Sequence, residues 1–322
     1  MQRGVSAEAR GAIPGIFQTI ATAMSLLLVQ PVLLLVPLAV DLSLWLGVRI
    51  SPERLVEPLA LVLAAQPGAE AGALGTSLGG MSQSGNLIDF IGWFVPSLVG
   101  SIGAAGLAAP WAKPLLEPGS LGGSLLLAVG FAALGALGLM TLQVMMARLI
   151  RDGAPLGPGL ARMIGLATIR YAGFLALLIP ALIMAIVAGS LVASLFSVIN
   201  LFLASLVVLA MAIVVVSAAI LLTFVVDAIA LAEVGPVRAV ELSVGVVRRF
   251  PWGSIGLLLV SGVSLVTLPE LARRLGAGSI AGVIVAILVY AFIATGLALA
   301  RMQFFADRVE QGQPGLGRSP QR

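Results

Sequence analysis

The sequence predicts an all-α protein: a polytopic bundle of about six transmembrane helices with amphipathic cytoplasmic elbow helices. Of its 322 residues, 60% are hydrophobic and only 10% are charged, whereas soluble domains carry roughly 25% charged residues. The mean hydropathy is +1.13, which is more apolar surface than a core of this size can hide, so lipid is the expected solvent. Several uncharged stretches also reach the roughly 20 residues that a helix needs to cross the hydrocarbon layer.

The first span is expected within residues 24–48, bent near Pro31 and Pro37, because proline removes a helical hydrogen bond. The preceding stretch, 13–30, is typical of an interfacial helix or of the lower end of this span. The first dozen residues lack the pattern of a secretory signal.

Residues 49–119 form the predicted outer segment. We expect an amphipathic helix over 52–65 and a loop over the Gly-, Ser- and Ala-rich stretch 66–85. Residues 90–110 are uncharged and long enough to cross a membrane, but they are interrupted by Gly92, Pro96, Gly100, Gly103 and Gly106. We therefore predict a re-entrant or interfacial hairpin there, with a seventh span as the alternative.

Five clearer spans follow, at 121–147, 171–190, 197–226, 254–268 and 279–300. We expect a single membrane domain over 1–308 and a flexible tail over 309–322. With six spans and both termini inside, 13 of the 18 Lys and Arg residues lie on the inner side. This predicts a multi-pass protein of a prokaryotic plasma membrane with a cytoplasmic C-terminus. A seven-span arrangement gives the same count, so charge does not choose between the two.

An elbow helix is predicted over Pro236–Arg249. Proline is tolerated at the first helical position, and Phe250 before Pro251 ends the helix. The predicted apolar face consists of Val237, Val240, Val244 and Val247. The predicted polar face consists of Arg238, Glu241, Ser243 and Arg248.

A similar pattern over 157–170, offset by 79 residues, suggests an internal repeat of two elbows. Alternatively, any surface helix between two spans would share this pattern.

The chain has no cysteine and no histidine, which excludes disulfides, the usual zinc sites and histidine-based catalysis. It also lacks a phosphate-binding glycine loop. Its basic residues flank apolar spans, where they act first as topology signals. The sequence therefore predicts no enzymatic activity, no cofactor and no nucleic-acid partner.

Polar residues inside apolar spans are costly and are therefore candidates for function. The candidates are Asp41, Gln143, Asn200 and Asp227. Asp41 is interpreted as a proton or cation site, as the partner of a basic group, or, preferably, as a helix-end carboxylate at the outer interface. Asp227 and Asp89 end apolar runs and are expected at an interface. A shared cavity lined by Asp41, Gln143, Asn200 and Thr223 would favour transport, and scattered positions would favour an accessory role.

Four arginines near the elbows are candidate contacts for anionic lipid headgroups: Arg162, Arg170, Arg248 and Arg249. They also enforce topology, and the two roles are compatible.

Two patches resemble a known family. Glu233-x-Gly-Pro236-x-x-Ala239-x-x-x-Ser243, followed by Arg248-Arg249-Phe250, is similar to a pattern in bacterial multi-span membrane domains. These include the domain attached to some glycerophosphodiester phosphodiesterases and related families of uncharacterised six-helix proteins. Gln30-Pro31-x-Leu-Leu-Leu-x-Pro37 is similar to their opening. The resemblance implies a six-helix bundle with cytoplasmic elbows but not the phosphodiesterase reaction, whose separate catalytic domain depends on histidines.

The sequence thus predicts an integral membrane protein without catalysis. Its expected role is structural or accessory, binding membrane lipids or another membrane protein. The alternative is a permease-like component that moves a hydrophobic or lipidic substrate.

Overall fold

The computed structural model describes residues 14–65, 72, 75–77, 79–80, 85–102, 107–108, 110–276 and 278–312. These form a helical bundle with two short strands. The helices are α1 Ile16–Val29, α2 Leu35–Leu46, α3 Glu53–Ala64, α4 Asp89–Gly92, α5 Leu98–Ile102, α6 Leu121–Asp152, α7 Leu160–Ile199, α8 Leu201–Leu221, α9 Val225–Leu231, α10 Pro236–Arg249, α11 Pro251–Gly276 and α12 Ile280–Gly312. A 3₁₀ turn covers Pro31–Leu34, and the strands are β1 Arg49–Ile50 and β2 Leu115–Leu116.

The predicted fold class is confirmed: the protein is an all-α polytopic bundle. Within the described residues, five segments are long and apolar enough to cross a membrane: α6, α7, α8 with α9, α11, and α12. The α1–α2 pair adds a sixth if it counts as one broken span, bent by 94°. The bend lies at Pro31, whereas Pro37 is accommodated in the first turn of α2.

Helix α12 is the centre of the bundle. In its most apolar stretch of 18 residues, 61% of the residues are buried, compared with none in the most apolar 18-residue stretch of the α8–α9 segment. Helices α1 and α11 pack along it, and α2, α9 and α10 also contact it. By contrast, α7 and α8 pack mainly on each other near their tip and expose apolar side chains such as Leu191 and Leu209.

Within residues 49–119, the predicted outer segment, the described residues form a hairpin that packs into the bundle, named here the re-entrant hairpin. The described parts of 90–110 contain only the short helices α4 and α5, so they do not form a continuous span. The hairpin starts beside β1, where Leu87 N donates to Ile50 O (2.9 Å). It reaches into the bundle, where the rings of Phe94 and Tyr171 lie 6.4 Å apart. It then returns to the α11 end, where Ala108 N meets Gly276 O.

Two glycines allow the arms of this hairpin to touch. A Cβ atom on Gly92 would lie 2.7 Å from the Cα atom of Gly100, and the reverse holds as well. The same two residues were expected to interrupt a helix; here they let two backbones pack together.

Three predictions, for residues 52–65, for residues 66–85 and for the termini, can be compared with the structure. The amphipathic helix expected over 52–65 is confirmed as α3. Most of the predicted loop 66–85, the first 13 residues and the end of the predicted tail (313–322) lie outside the described residues. The loop prediction is wrong for residues 72, 75–77 and 79–80, which are helical. There Thr76 Oγ1 donates to Gly72 O (2.9 Å), the bond that a hydroxyl makes to the carbonyl four residues earlier in a helix. Helix α12 continues to Gly312, past the predicted start of the tail at 309.

The predicted repeat of two elbows is wrong. Helix α7 runs without a break from Leu160 to Ile199, so 157–170 does not form a separate surface helix. The two segments differ at the junction with the span that follows. Arg170 is followed by Tyr171, which continues a helix, whereas Phe250 is followed by Pro251, which ends the elbow helix.

The elbow helix has the predicted bounds, Pro236–Arg249, but not the predicted faces. Val237 belonged to the expected apolar face and is 64% exposed. The buried residues are Ala239, Leu242, Ser243, Val246 and Val247. Ser243, assigned to the polar face, is fully buried.

Ser243 joins the elbow to the end of the preceding span. Its hydroxyl donates to Leu221 O (2.6 Å) and accepts from Phe224 N (3.1 Å). These are backbone groups at the turn between α8 and α9, inside the predicted span 197–226, where a helical ladder is interrupted.

Replacing Ser243 with alanine therefore leaves two buried backbone groups without this partner. We expect Ser243→Ala to lower the free energy of unfolding by about 1–3 kcal/mol, measured by thermal or denaturant unfolding in detergent. Ser205→Ala is the matched control, because that exposed hydroxyl bonds only Phe202 O within α8. Equal stability of the two variants would contradict the bridging role.

Candidate functional site

The candidate site is a cavity of about 440 Å³ inside the bundle. This lies in the roughly 300–1,000 Å³ range of small-molecule sites. Residues 93–97 of the re-entrant hairpin form one wall, and Leu257, Ser261 and Leu265 of α11 form another. The α8–α9 turn contributes Thr223. Its walls are thus mainly apolar, with a few polar groups.

One face of α12 lines the cavity along its length. Tyr290, Ala294, Leu297 and Arg301 are separated by four, three and four residues, which places them on the same side of a helix. From Tyr290 to Arg301 the helix rises about 16 Å. The cavity therefore connects two polar regions that lie at opposite ends of this face.

A buried ion pair marks the end of the cavity nearest the elbow. Arg301 donates from Nε to Asp227 Oδ2 (2.8 Å) and from Nη2 to Asp227 Oδ1 (3.2 Å). Asp227 is fully buried, whereas 28% of the Arg301 side chain is exposed. The guanidinium is thus the member of the pair that reaches the cavity.

Gln143 completes this end of the site. With its amide oriented so that both atoms are paired, Nε2 donates to Asp227 Oδ1 (3.2 Å) and Oε1 accepts from Arg301 Nη2 (3.1 Å). The cluster joins α6, α9 and α12. Because both charged partners are held in fixed positions, the remaining Arg301 surface is preorganised toward the cavity.

A hydroxyl and carboxylate network forms the opposite end. Asp41 is fully buried and accepts from Ser97 Oγ (2.6 Å), Leu98 N (3.2 Å) and Val99 N (2.9 Å). Nearby, Ser101 Oγ lies 3.2 Å from Tyr290 Oη. Ser97, Ser101 and Tyr290 line the cavity, while Asp41 stands behind Ser97.

The structure brings together three of the four residues used to distinguish transport from an accessory role. Gln143 and Thr223 line the cavity, and Asp41 is one hydrogen bond away through Ser97. Asn200 is elsewhere: it lies at the tip of the α7–α8 hairpin, where its side chain accepts from Phe202 N (2.8 Å) and caps α8.

The interface interpretation of the two aspartates is wrong. Asp41 and Asp227 are both fully buried. Asp41 binds backbone amides of the hairpin rather than water or a basic group, and Asp227 binds Arg301.

Sequence reasoning missed Arg301, Tyr290 and Ser261. Arg301 was counted among the basic residues of the tail because it directly follows the predicted last span. A buried acid near the end of an apolar run calls for a cation. That rule could have suggested a partner for Asp227, although sequence could not say which arginine.

The four candidate lipid-binding arginines are dispersed. Arg162 and Arg248 are exposed, and Arg170 is half-buried beside Glu233 in a small groove. Arg249 lines a second cavity between α10 and α12.

Asp89 is the first residue of α4, at the start of the hairpin and outside the candidate spans. Burial raises the pKa of its carboxyl to about 6, partly opposed by Lys113 and Arg49. Within the described residues, no group of three or more carboxylates is placed to hold a metal ion.

Comparisons with protein-family models, curated proteins and solved structures found no match for this chain. The resemblance to the membrane domain of some glycerophosphodiester phosphodiesterases therefore stays a prediction.

The buried ion pair gives a direct test of the site. Arg301→Gln leaves Asp227 without its cation, so we expect a loss of about 3–5 kcal/mol in the free energy of unfolding. Adding Asp227→Asn should restore part of that stability, since the unpaired charge is then removed. A double-mutant cycle measured by unfolding in detergent checks this.

Arg273→Gln provides the control, because that arginine pairs with Glu270 at an exposed site. It should change stability little. Additive effects of Arg301→Gln and Asp227→Asn would contradict an energetically coupled pair.

Proposed function

We propose that this chain is a permease-like membrane protein that binds and moves an amphipathic, lipid-like molecule. The observation that carries the proposal is one cavity with apolar walls and an arginine at one end. An amphipathic molecule matches this arrangement, with its apolar body along α11 and α12 and its polar end at Arg301. The proposal involves binding and movement alone, without a chemical step.

The re-entrant hairpin supports the same proposal. Non-helical backbone at membrane depth is tolerated where it is buried in protein or lines a cavity, and residues 93–97 line this one. Interrupted helices near the substrate are also a recurring feature of transporters. A hairpin that only filled the space between helices would not need its turn, residues 93–97, to lie beside the cavity.

We place the elbow and the C-terminus on the cytoplasmic side of a prokaryotic plasma membrane. Nine described basic residues belong to the elbow end of the bundle: Arg148, Arg151, Arg162, Arg170, Arg238, Arg248, Arg249, Arg301 and Arg308. Five belong to the opposite end: Arg49, Arg54, Lys113, Arg273 and Arg274. This excess supports the orientation through the positive-inside rule. In this proposed orientation the Arg301 end of the cavity faces the cytoplasm.

The α7–α8 hairpin favours a second candidate function, that of an accessory protein for another membrane protein. Its two helices expose apolar side chains over most of their surface near the tip. In this second proposal the hairpin contacts a partner as well as lipid. Purification in a lipid-preserving system followed by mass spectrometry separates the two, since a stoichiometric protein partner favours the accessory role.

Filling the cavity tests the permease proposal. We expect Ser261→Phe to reduce the co-purified amphipathic molecule at least about tenfold, a loss of about 1.4 kcal/mol in binding. The readout is mass spectrometry of everything that stays bound to the protein in native-lipid particles. Val263→Phe is the matched control, since Val263 is 61% exposed and lies two residues along the same helix. Equal retention by both variants would count against the cavity as the binding site.

The orientation has its own test, made simple by the absence of cysteine from the chain. We expect Gln311→Cys to resist a membrane-impermeant maleimide in intact cells and to react after lysis. Gly278→Cys, at the opposite end of α12, should react in intact cells, because a side chain there meets open space. The reverse pattern would overturn the assignment.

A further inference from the structure

A second cavity, of about 190 Å³, lies between the elbow helix α10 and the end of α12. Three arginines and one glutamate contribute to its lining: Arg238, Arg249, Arg308 and Glu241. It is separate from the cavity described above and shares no lining residue with it.

Arg308 is the unusual member of this group. The residue is only 6% exposed, and its guanidinium carbon lies 3.4 Å from the ring centroid of Phe304. Its Nη1 donates to Phe304 O (3.2 Å), while its Nε has no hydrogen-bond partner. The neighbouring Asp307 attracts Arg308 electrostatically, but among the described residues no carboxylate lies within 4.0 Å of the guanidinium to form an ion pair. A buried cation without a directly paired counter-ion is costly, and contacts with aromatic rings offset only part of that cost.

No neighbouring carboxylate pairs directly with Arg308. Glu241 is already bound to Arg238, with Oε2 2.7 Å from Nη1, and Asp307 acts on Arg308 only through the electrostatic field, from outside the lining. Arg249 and Arg308 lie 5.9 and 5.8 Å from the ring centroid of Phe250, so both guanidiniums lie around one ring. The charges of the lining side chains sum to about two positive units, which Asp307 offsets in part.

We infer that this cavity binds the phosphate group of an anionic ligand, held by Arg249 and Arg308. A phosphate presents several acceptor oxygens, and guanidinium groups bind it through paired, charge-assisted hydrogen bonds. The site also lies where lipid headgroups are found. Val237 on the elbow helix is 64% exposed, and Trp252 in the first turn of α11 is 84% exposed, as in segments that lie in a membrane interface.

The same phosphate chemistry has two sources, a lipid headgroup and a soluble phosphate. We test both with the full-length protein in nanodiscs. One arm compares phosphatidylglycerol with phosphatidylcholine as the host lipid and measures retained lipid by native mass spectrometry. The other adds inorganic phosphate or glycerol phosphate to phosphatidylcholine nanodiscs and measures thermal stabilisation.

Arg249→Gln and Arg308→Gln should each reduce binding of the preferred probe at least about tenfold, or about 1.4 kcal/mol. Arg274→Gln is the control: it removes the same charge from an exposed site outside the cavity, where the arginine pairs with Glu270. It should change binding less than about twofold. Because Arg308 is buried, Arg308→Gln could fail to fold. In that case Arg308→Lys, which keeps the charge, and Arg249→Gln, at an exposed residue, provide the test instead.

Selective retention of phosphatidylglycerol identifies a lipid headgroup as the ligand, and stabilisation by soluble phosphate alone identifies a free phosphate. Either result supports the site. Loss of binding that is equal in the Arg274 and Arg249 variants would overturn it, because it would indicate unspecific attraction to basic residues. Absence of binding in both arms would overturn it too. These results do not depend on Ser261→Phe, so this site and the proposed transport cavity can fail separately.

Discussion

Backbone amides left free by a broken helix have no water to bind inside a membrane bundle, and the rest of this structure depends on how they are satisfied. Two breaks are buried here, and each is bridged by a side chain from a distant element. Ser243 binds the turn between α8 and α9. Asp41 binds two amides at the start of α5 in the re-entrant hairpin. Without these partners, both segments would favour an unbroken helix or an exit to the interface.

The broken helices create the cavity and decide its chemistry. The α8–α9 turn brings Thr223 to its wall and lets α9 place Asp227 against Arg301. The hairpin brings Ser97 and Ser101 to the other end. Continuous helices in the same positions would present mostly Leu, Val and Ala to one another. The polar groups are therefore few, but each one is fixed by a contact with another helix.

Sequence reasoning succeeded where the signal was local and failed where it depended on packing. Pro236 at the first helical position and Pro251 after Phe250 were enough to predict both ends of α10. Its buried face was predicted wrongly, because Ser243 is turned inward by its partners in α8 and α9. The partners of Asp41 and Asp227 could not be predicted, since Ser97 and Arg301 lie 56 and 74 residues away along the chain. Gln143 and Thr223 were identified as candidates by polarity alone, and both line the cavity.

The short pairing of β1 with β2 has a consequence for how the chain tolerates changes of length. Arg49 pairs with Leu115 and Ile50 with Leu116 in parallel, so the two ends of the intervening segment are about 4.8 Å apart. Trp45 Nε1 also donates to Ala108 O (3.0 Å), which ties α2 to the returning chain. A third tie, from Leu87 N to Ile50 O (2.9 Å), brings the two ends of residues 51–86 together. Residues can be inserted or removed between Ile50 and Leu87 at a modest loop-closure cost, while α2, α6 and the hairpin that lines the cavity keep their positions.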